Sequence, residues 1–397
     1  MQQRGRTPIR LVAFAALVSA AGSTAASIAI AVLIYSRTKS AIWLSVSFLL
    51  TFGVTGFLTP FVGLIADRID RRRLLIATEL ASGAVYVVMA FVDSPVWIIV
   101  LGFIEALIQM PSASALRAAV PNLASRDDLP WANGLLDISF NIAKTAGPVM
   151  GGALAASVGA HAVFWINAAS FAVSGAVLST IRVPFSDTGI MEDERGILRG
   201  LRAIRRDRVL IGIALGWIFG YFAVDIVLVA DLPFARLFGT GTVGYSIMNT
   251  TWSAAGLAGA WVSRWLTPRY HMVALVSGGA SAFIGLAMGS LAPAFGILLL
   301  ALVVTAFFDA ITSVAGDSVI QIRTPDQVRG RVFAALQGAG WIANAVAFSI
   351  AGFLVEWLGP RGVYGIASIA GLIYGALLFF FLRGSNVNER DVKVMTA

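Results

Sequence analysis

The stretch LVAFAALVSAAGSTAASIAIAVLIY, from Leu11 to Tyr35, carries no charged side chain and decides which solvent this chain folds in. A helix needs about 20 mainly apolar residues to cross a hydrocarbon core of about 30 Å. The stretch is long enough. It also lacks a small-residue cleavage site followed by a soluble domain, so we interpret it as a spanning helix and not as a signal peptide.

The composition of the whole chain agrees with a lipid environment. Of 397 residues, 58% are hydrophobic and 13% are charged, whereas soluble domains carry about 25% charged residues. The mean hydropathy is +0.84. This composition argues against soluble enzymes and nucleic-acid binders. Without cysteine, and with only His161 and His271, we expect no metal, no cofactor and no enzymatic activity.

Runs of spanning length recur along the chain and predict an all-α integral membrane protein of twelve transmembrane helices. The predicted spans are Leu11–Tyr35, Ile42–Ile65, Leu74–Val92, Val96–Ala115, Asn133–Val158, Ala162–Ile181, Val209–Ala235, Val243–Val262, Met272–Leu291, Phe295–Val319, Val332–Val355 and Val363–Leu382.

The basic residues predict the orientation in a plasma (inner) membrane. With both termini in the cytoplasm, the cytoplasmic tails and loops hold 24 of the 29 Lys and Arg residues. The opposite side holds Arg37, Lys39, Arg236 and Arg361, and Lys144 lies within a span. Positively charged loops remain in the cytoplasm, so the net charge of +8 reflects topology and predicts no nucleic-acid partner.

A polar stretch at 182–208 divides the chain into two halves. We predict an N-terminal six-helix bundle at 1–181, a cytoplasmic linker at 182–208, a C-terminal six-helix bundle at 209–383 and a cytoplasmic tail at 384–397. Residues of the first half recur at near-constant spacing in the second, which indicates a parallel repeat of the kind found in rocker-type transporters. The matches are Gly152, Gly159, Val163, Gly175, Ala176 and Leu178 with Gly352, Gly359, Val363, Gly375, Ala376 and Leu378, and Gly63 and Arg68 with Gly259 and Arg264.

The linker contains a candidate surface helix. Ile197, Leu201 and Ile204 share one face at helical spacing, among several arginines. An amphipathic helix on the inner membrane surface would explain that pattern. A solvated linker without a binding role is the alternative.

The loop after the second span reads GLIADRIDRRRLL, from Gly63 to Leu75. It resembles the signature loop of the major facilitator superfamily, G-x-L-A-D-R-x-G-R-R/K-x-x-L, with Ile65 and Asp70 as departures. The resemblance implies the fold of that superfamily and a cytoplasmic gate. Arginines that serve only as cytoplasmic anchors are the alternative. The implied gate residues are Gly63, Asp67, Arg68, Arg71 and Arg72.

The fifth span carries NIAKTAGPVMGG, from Asn141 to Gly152. It is similar to the G-x-x-x-G-P-x-x-G-G element of the superfamily's exporters, with Ala143 in place of the first glycine. The resemblance implies export by antiport through Gly147, Pro148, Gly151 and Gly152. Generic packing of small residues is the alternative.

Two further parts of the chain resemble macrolide-efflux and enterobactin-exporter relatives within the drug:proton antiporter branch. The first is QMPSASALRAAVPN, Gln109 to Asn122, followed by WANGLLDIS, and the second is RTPDQVRGRVFAAL, Arg323 to Leu336.

Ionisable residues within the spans are costly and mark candidate pathways. At a rise of about 1.5 Å per residue, Glu105 and Lys144 both lie near the midplane, on consecutive helices. We therefore predict a Glu105–Lys144 pair, either a proton- or substrate-responsive switch or a permanent structural pair. The remaining candidates for the pathway are Asp137 and Asn141, which would line the route inward, and Asp225 and Asp309 in the second half, while Glu79 is a further ionisable residue within a span.

The second half also contains aromatic residues that could form an apolar cavity, although packing is the commoner role at this spacing. They are Phe222, Trp252, Phe307 and Phe308. Together these features predict a secondary active exporter of amphipathic small molecules, drug-like or siderophore-like, that works by proton antiport and alternating access. We expect a monomer with the substrate, protons and membrane lipids as partners. A lipid or lysolipid flippase and a transporter-like receptor without turnover are the alternatives.

Overall fold

The structure is a computed structural model that describes residues 5–58, 69–183, 185 and 197–383 of the chain. Within these ranges the regular secondary structure is entirely helical. The predicted gate residues Gly63, Asp67 and Arg68 lie outside the described residues.

The first half contributes six long helices. Their bounds are α1, Arg6–Thr38; α2, Ala41–Phe48, which continues through a π-helical turn at Leu49–Val54 and stays helical to Leu58; α3, Arg71–Met89; α4, Pro95–Leu123; α5, Leu129–Ser157, preceded by a short 3₁₀ turn at Arg126–Asp128; and α6, Ala160–Thr180.

The second half contributes one short and six long helices. Their bounds are α7, Ile197–Arg206; α8, Arg208–Leu237; α9, Gly241–Ser263; α10, His271–Ser290, preceded by a 3₁₀ turn at Pro268–Tyr270; α11, Phe295–Arg323; and a final helical stretch, Asp326–Leu382. Gly359 breaks this last stretch with φ 71° and ψ 170°, giving α12 (326–358) and α13 (360–382).

The prediction of twelve spans is confirmed in the described residues. Eight stretches are long and apolar enough to cross a membrane, and one of them contains both α12 and α13. The helices α3, α5 and α9, of 19, 29 and 23 residues, complete the set. Several helices extend past the apolar run that predicted them, since α4 reaches Leu123 and α11 reaches Arg323.

Local sequence signals explain where several of these helices begin. The side chain of Asp70 caps α3 by accepting from the Arg73 amide at 2.9 Å, and Asp207 caps α8 by accepting from the Val209 amide at 2.8 Å. Such caps satisfy amides that have no partner within the helix. Gly159 and Gly359, which the repeat aligns, both have a positive φ, of 88° and 71°. Each allows the sharp joint before the last helix of its half.

Contacts divide the chain into two compact units, Met1–Met191 with Gly239–Thr250 and Glu192–Phe238 with Thr251–Ala397. Within the first, α1 packs on α5 and α6, and α3 packs on α4 and α6. Within the second, α8 packs on the α12–α13 stretch, and α10 packs on α11 and that stretch. The predicted division into bundles at 1–181 and 209–383 stays a prediction.

The ends of α1 are tied to other parts of the first unit. At one end, Arg6 Nε lies 2.9 Å from Asp128 Oδ1. A hydrogen bond from Ser125 Oγ and this contact with Arg6 lower the pKa of Asp128 below its ordinary value. At the other end, Arg37 pairs with Asp93, and His161 Nε2 lies 3.6 Å from the same carboxylate. These contacts tie one end of α1 to the turn before α5 and the other end to the loop between α3 and α4.

The short helix α7 lies within the predicted linker. Its Ile204 is 7% exposed and belongs to the hydrophobic core of the second unit, whereas Leu201 is 43% exposed. Asp207 Oδ2, which follows α7, accepts from Arg323 Nε at 2.8 Å. The helix is therefore anchored to its unit by Ile204 and by this ion pair, while contact with a membrane surface stays a prediction.

Candidate functional site

A cavity of about 350 Å³ opens inside the first unit, among α1, α3, α4, α5 and α6. Its walls combine small and large apolar side chains with a group of polar ones. The apolar walls include Val12, Leu75, Leu116, Phe140 and Leu178. The polar lining residues are Ser19, Ser23, Glu79, Glu105, Gln109, Ser112 and Ser174.

Glu79 of α3 is one of the two acids that line this cavity. It is 7% exposed, and its Oε1 accepts from Ser19 Oγ of α1 at 3.2 Å. Its Oε2 is buried and has no hydrogen-bond partner in the described part of the chain. A carboxylate oxygen without a donor is costly at membrane depth. The free oxygen is therefore the position where a proton or a bound donor group would be stabilised.

Glu105 brings a second carboxyl group to the same cavity from α4. Among the described residues that line the cavity there is no Lys, Arg or His. Two carboxylates within one apolar chamber repel each other more strongly than they would in water. Adding a proton or a cationic group to the chamber relieves that repulsion. The arrangement suits binding and release of positive charge rather than bond-making chemistry.

The predicted Glu105–Lys144 pair is wrong. No ion pair joins these residues in the described structure, and the Lys144 side chain is exposed. The reason is that α5 packs mainly on α1 and has little contact with α4. Equal depth on consecutive helices does not make two residues neighbours. Lys144 and Asp137 lie on exposed positions of α5, and neither they nor Asn141 line the cavity.

From the sequence, Glu79 is predicted only as an ionisable residue within a span, with no role in the pathway. Ser19, Gln109 and Ser112 were not predicted as site residues. An acidic residue within the third apolar run indicates that Glu79 has a role. Gln109 begins the stretch that resembles macrolide-efflux and enterobactin-exporter relatives, but that resemblance assigns it no role. Nothing in the sequence distinguishes the two serines from others in the spans. Ser112, for example, is identified only by its contact with Thr78 of α3, at 2.6 Å between the hydroxyl oxygens.

The Gly-Pro element of α5 packs directly on α1. A Cβ added at Gly151 would lie 2.4 Å from the carbonyl oxygen of Ala25 and 2.6 Å from its Cα. A Cβ at Gly147 would lie 1.8 Å from Thr24 Oγ1. Thr24 Oγ1 also donates to the carbonyl of Ala143 at 3.0 Å, so a hydrogen bond reinforces the contact. The backbones meet as closely as small residues permit.

Gly152 belongs to a second close contact of the same element. A Cβ there would lie 1.7 Å from Ser246 Oγ of α9, a residue of the same compact unit. Pro148 is buried between the two contacts. The four residues of the predicted element thus form one packing surface, while their role in antiport stays a prediction.

Two of the predicted gate residues lie in the described structure, at the start of α3. Arg71 Nη1 donates to the carbonyls of Ala118 in α4, at 3.1 Å, and Phe185 after α6, at 3.4 Å. Arg72 donates to the carbonyl of Ser179 in the last turn of α6. Guanidinium groups at helix C-terminal ends are favoured by the helix dipole. Arg71 and Arg72 therefore connect three helices at the predicted cytoplasmic end.

Arg71→Ala is expected to lower the free energy of unfolding by about 1.5–3 kcal/mol, since hydrogen bonds from a charged donor are lost. Transport should fall with it, because α3, α4 and the segment after α6 lose a shared anchor. Thermal unfolding and flux of the purified protein measure both effects. Arg71→Lys should be intermediate, because an ammonium group cannot reproduce the planar geometry. Arg117→Ala, which removes an exposed arginine of α4, is the control, and equal behaviour of both alanine variants would contradict this role.

The second unit holds the other predicted acids on different helices. With the Asn344 amide oriented toward it, Asp225 Oδ2 of α8 accepts from Asn344 of α12 at 2.7 Å. Asp309 lies on α11, and the ring centroids of Phe307 and Phe308 are 5.3 Å apart on the same helix. Phe222 lies on α8 and Trp252 on α9. A cavity lined by these aromatic residues stays a prediction.

A further buried acid of the second unit lacked an assigned role at the sequence level. Asp231 is 8% exposed, and its Oδ1 accepts from the hydroxyl of Tyr364 at 2.6 Å, which joins α8 to α13. Tyr364 is fully buried against Gly289 of α10, where a Cβ would lie 2.7 Å from the ring. Asp231 lies near the end of the predicted span Val209–Ala235, where an acid is common, so the sequence does not indicate its burial.

The spanning helices define a polytopic membrane protein. The cavity with its two carboxyl groups is the kind of site that a membrane transporter contains. The model of the Major Facilitator Superfamily matches residues 12–294, and the chain belongs to that superfamily. It is therefore a multi-pass membrane transporter for small molecules and not an enzyme.

Relatives of known name agree with this assignment. The multidrug efflux pump Tap of Mycolicibacterium fortuitum is 26% identical over 96% of this chain and 98% of its own length. The uncharacterized MFS-type transporter YfiS of Bacillus subtilis is 26% identical over 84% of this chain and 81% of its own. The crystal structure of a bacterial homologue of the human lysosomal transporter Spinster superposes with a TM-score of 0.74 at 14% identity, covering 96% and 98% of the two chains. That likeness confirms the fold.

Proposed function

We propose that the chain is a secondary active exporter that exchanges amphipathic small molecules for protons by alternating access. One observation carries the proposal, namely the cavity of the first unit, which holds Glu79 and Glu105 and has no basic residue among its described lining. Such a chamber offers apolar walls to a substrate and two acidic groups to protons. Its size, about 350 Å³, lies within the range of small-molecule sites.

The physical basis for coupling is the cost of charge at membrane depth. An ionised carboxylate in this cavity stabilises a conformation in which the cavity is open to water. A protonated, neutral carboxyl group costs less in a conformation in which the cavity is closed to water. Proton binding therefore shifts the population between the two conformations, as any ligand with unequal affinity does. A substrate that occupies the same chamber competes with the proton, and this competition produces exchange.

Other features support export in particular. Tap, whose sequence similarity extends over nearly the whole chain, is a multidrug efflux pump. The Gly-Pro element of α5 resembles that of the superfamily's exporters, and its glycines form the contact with α1. We further propose that Asp137, Asn141 and Lys144 lie along the route from the cytoplasm. Asp225, Asp309 and the aromatic residues of the second half would line the other part of the pathway.

We also propose the topology that the charge distribution predicts. Both termini lie in the cytoplasm, the chain resides in the plasma membrane, and the monomer is the functional unit. Residues 1–181 and 209–383 are the two bundles, and 182–208 is their linker. Reporter fusions at the two ends test the placement of the termini.

Reconstitution into liposomes tests the proposed activity. The purified chain is given a lipophilic fluorescent dye in one preparation and a fluorescent phospholipid in another, each with and without an imposed pH gradient. Dye movement that follows the gradient and stops with a protonophore is the expected result. Movement of the phospholipid alone would favour a flippase. Binding of the dye without flux in either preparation would favour a receptor and overturn the proposal.

A further inference from the structure

An aromatic cluster outside the cavity lies at the C-terminal end of α9 and in the turn that follows it. The guanidinium carbon of Arg264 is 4.1 Å from the ring centroids of both Trp261 and Trp265. The two indole rings are perpendicular, with centroids 4.5 Å apart. Cation–π contacts with two tryptophans hold the guanidinium in one position. Backbone hydrogen bonds of the turn, from Trp265 to Val262 at 3.1 Å and from Leu266 to Ser263 at 2.9 Å, fix the segment below it.

The aromatic rings hold Arg264, and none of the described residues provides it with a hydrogen-bond acceptor. Other arginines of the described structure find one: Arg323 pairs with Asp207 at 2.8 Å, and Arg208 donates to the carbonyl of Phe380 at 2.7 Å. No acceptor or acid contacts the Arg264 guanidinium among the residues that the structure describes, and its side chain is exposed. Its N–H donors are therefore positioned and available.

The cluster lies at the level of the lipid headgroups. The 23 residues of α9 give a length of about 34 Å, slightly more than the hydrocarbon core. Trp261 and Trp265 are 56% and 57% exposed at the end of this span, and tryptophan is enriched at that depth. The following segment, 264–270, contains Arg264 and Arg269 and no acidic residue. Charge complementarity thus favours an anionic occupant.

We propose that Arg264, Trp261 and Trp265 form a binding site for the headgroup phosphate of an anionic phospholipid. The planar guanidinium can offer two parallel N–H donors to phosphate oxygens, a geometry that an ammonium group cannot supply. The exposed faces of the two indoles pack against the glycerol and upper acyl groups. The site is separate from the cavity of the first unit, so it does not depend on the proposed transport activity.

Lipid titration of the purified full chain tests this site. Native mass spectrometry compares the binding of phosphatidylglycerol and phosphatidylcholine. We expect wild type to prefer phosphatidylglycerol, and Arg264→Gln to reduce that preference about fivefold, as one basic group at an anionic surface would. Arg264→Lys should retain part of it, and Trp261→Leu with Trp265→Leu should also weaken it, because the guanidinium is then no longer held in place.

Arg117→Gln is the matched control, since it removes another exposed arginine, on α4, and should leave the preference intact. An equal loss in Arg117→Gln and Arg264→Gln would show attraction by total charge only and would overturn the site. Full competition by inorganic phosphate at equal concentration would show a phosphate site without lipid specificity and would overturn it as well. Arg264→Lys keeps the charge, so it remains informative if Arg264→Gln folds poorly.

Discussion

Gly151→Ala is expected to remove most of the transport activity, at least tenfold, although it adds a single methyl group. The new Cβ would lie 2.4 Å from the carbonyl oxygen of Ala25 and 2.6 Å from its Cα. Both atoms belong to the backbone of α1, so no side chain can turn away to make room. Overpacking of this kind costs about 1–3 kcal/mol. The helices must separate, and the contact between α5 and α1 that holds the cavity together is lost.

The same helix contains a matched control. A Cβ at Gly134 meets nothing within 4 Å, so Gly134→Ala should transport normally and stabilise α5 slightly. Flux in liposomes and thermal unfolding are measured on both variants at equal protein density. Normal flux and stability in Gly151→Ala would mean that α1 and α5 do not approach as closely as the structure shows.

Glu79→Gln and Glu105→Gln are each expected to reduce gradient-driven flux at least tenfold while dye binding is retained. Glutamine keeps the size and polarity of the side chain but cannot gain or lose a proton. The cavity would still bind the substrate, but the pH gradient would no longer drive its transport. Exchange of dye across liposomes without a gradient should therefore persist. Thermal stability should stay the same or rise, because a carboxyl group is removed from a low-dielectric chamber.

The conservative and distant variants separate coupling from general damage. Glu79→Asp keeps a titratable group and should recover part of the gradient-driven flux. Asp127→Asn removes an exposed acid before α5 and should behave as wild type. If both glutamine variants follow the pH gradient as wild type does, the two acids carry no protons and the proposed coupling must lie elsewhere. If they lose dye binding as well, the acids hold the substrate rather than the proton.

The membrane-spanning helices were predictable because lipid leaves few alternatives. Every backbone amide within the hydrocarbon must be paired inside its own segment, so an apolar run of spanning length forms a helix. The helix joints at Gly159 and Gly359 were marked by the repeat, and the Asp70 cap stands where the signature loop has a glycine. The family followed from the loop at 63–75 and from the element at 141–152. These are local patterns that need no knowledge of neighbouring helices.

The partners of each side chain were decided only by the tertiary structure. Sequence position gives the depth of a residue in the membrane, but not the direction in which it points relative to another helix. Glu105 and Lys144 have equal predicted depths, and yet α5 packs on α1, so Glu105 shares its cavity with Glu79 of α3. Asp231 of α8 meets Tyr364 of α13 for the same reason. Helix rotation and helix pairing depend on the summed packing of many small side chains, and no single segment encodes that sum.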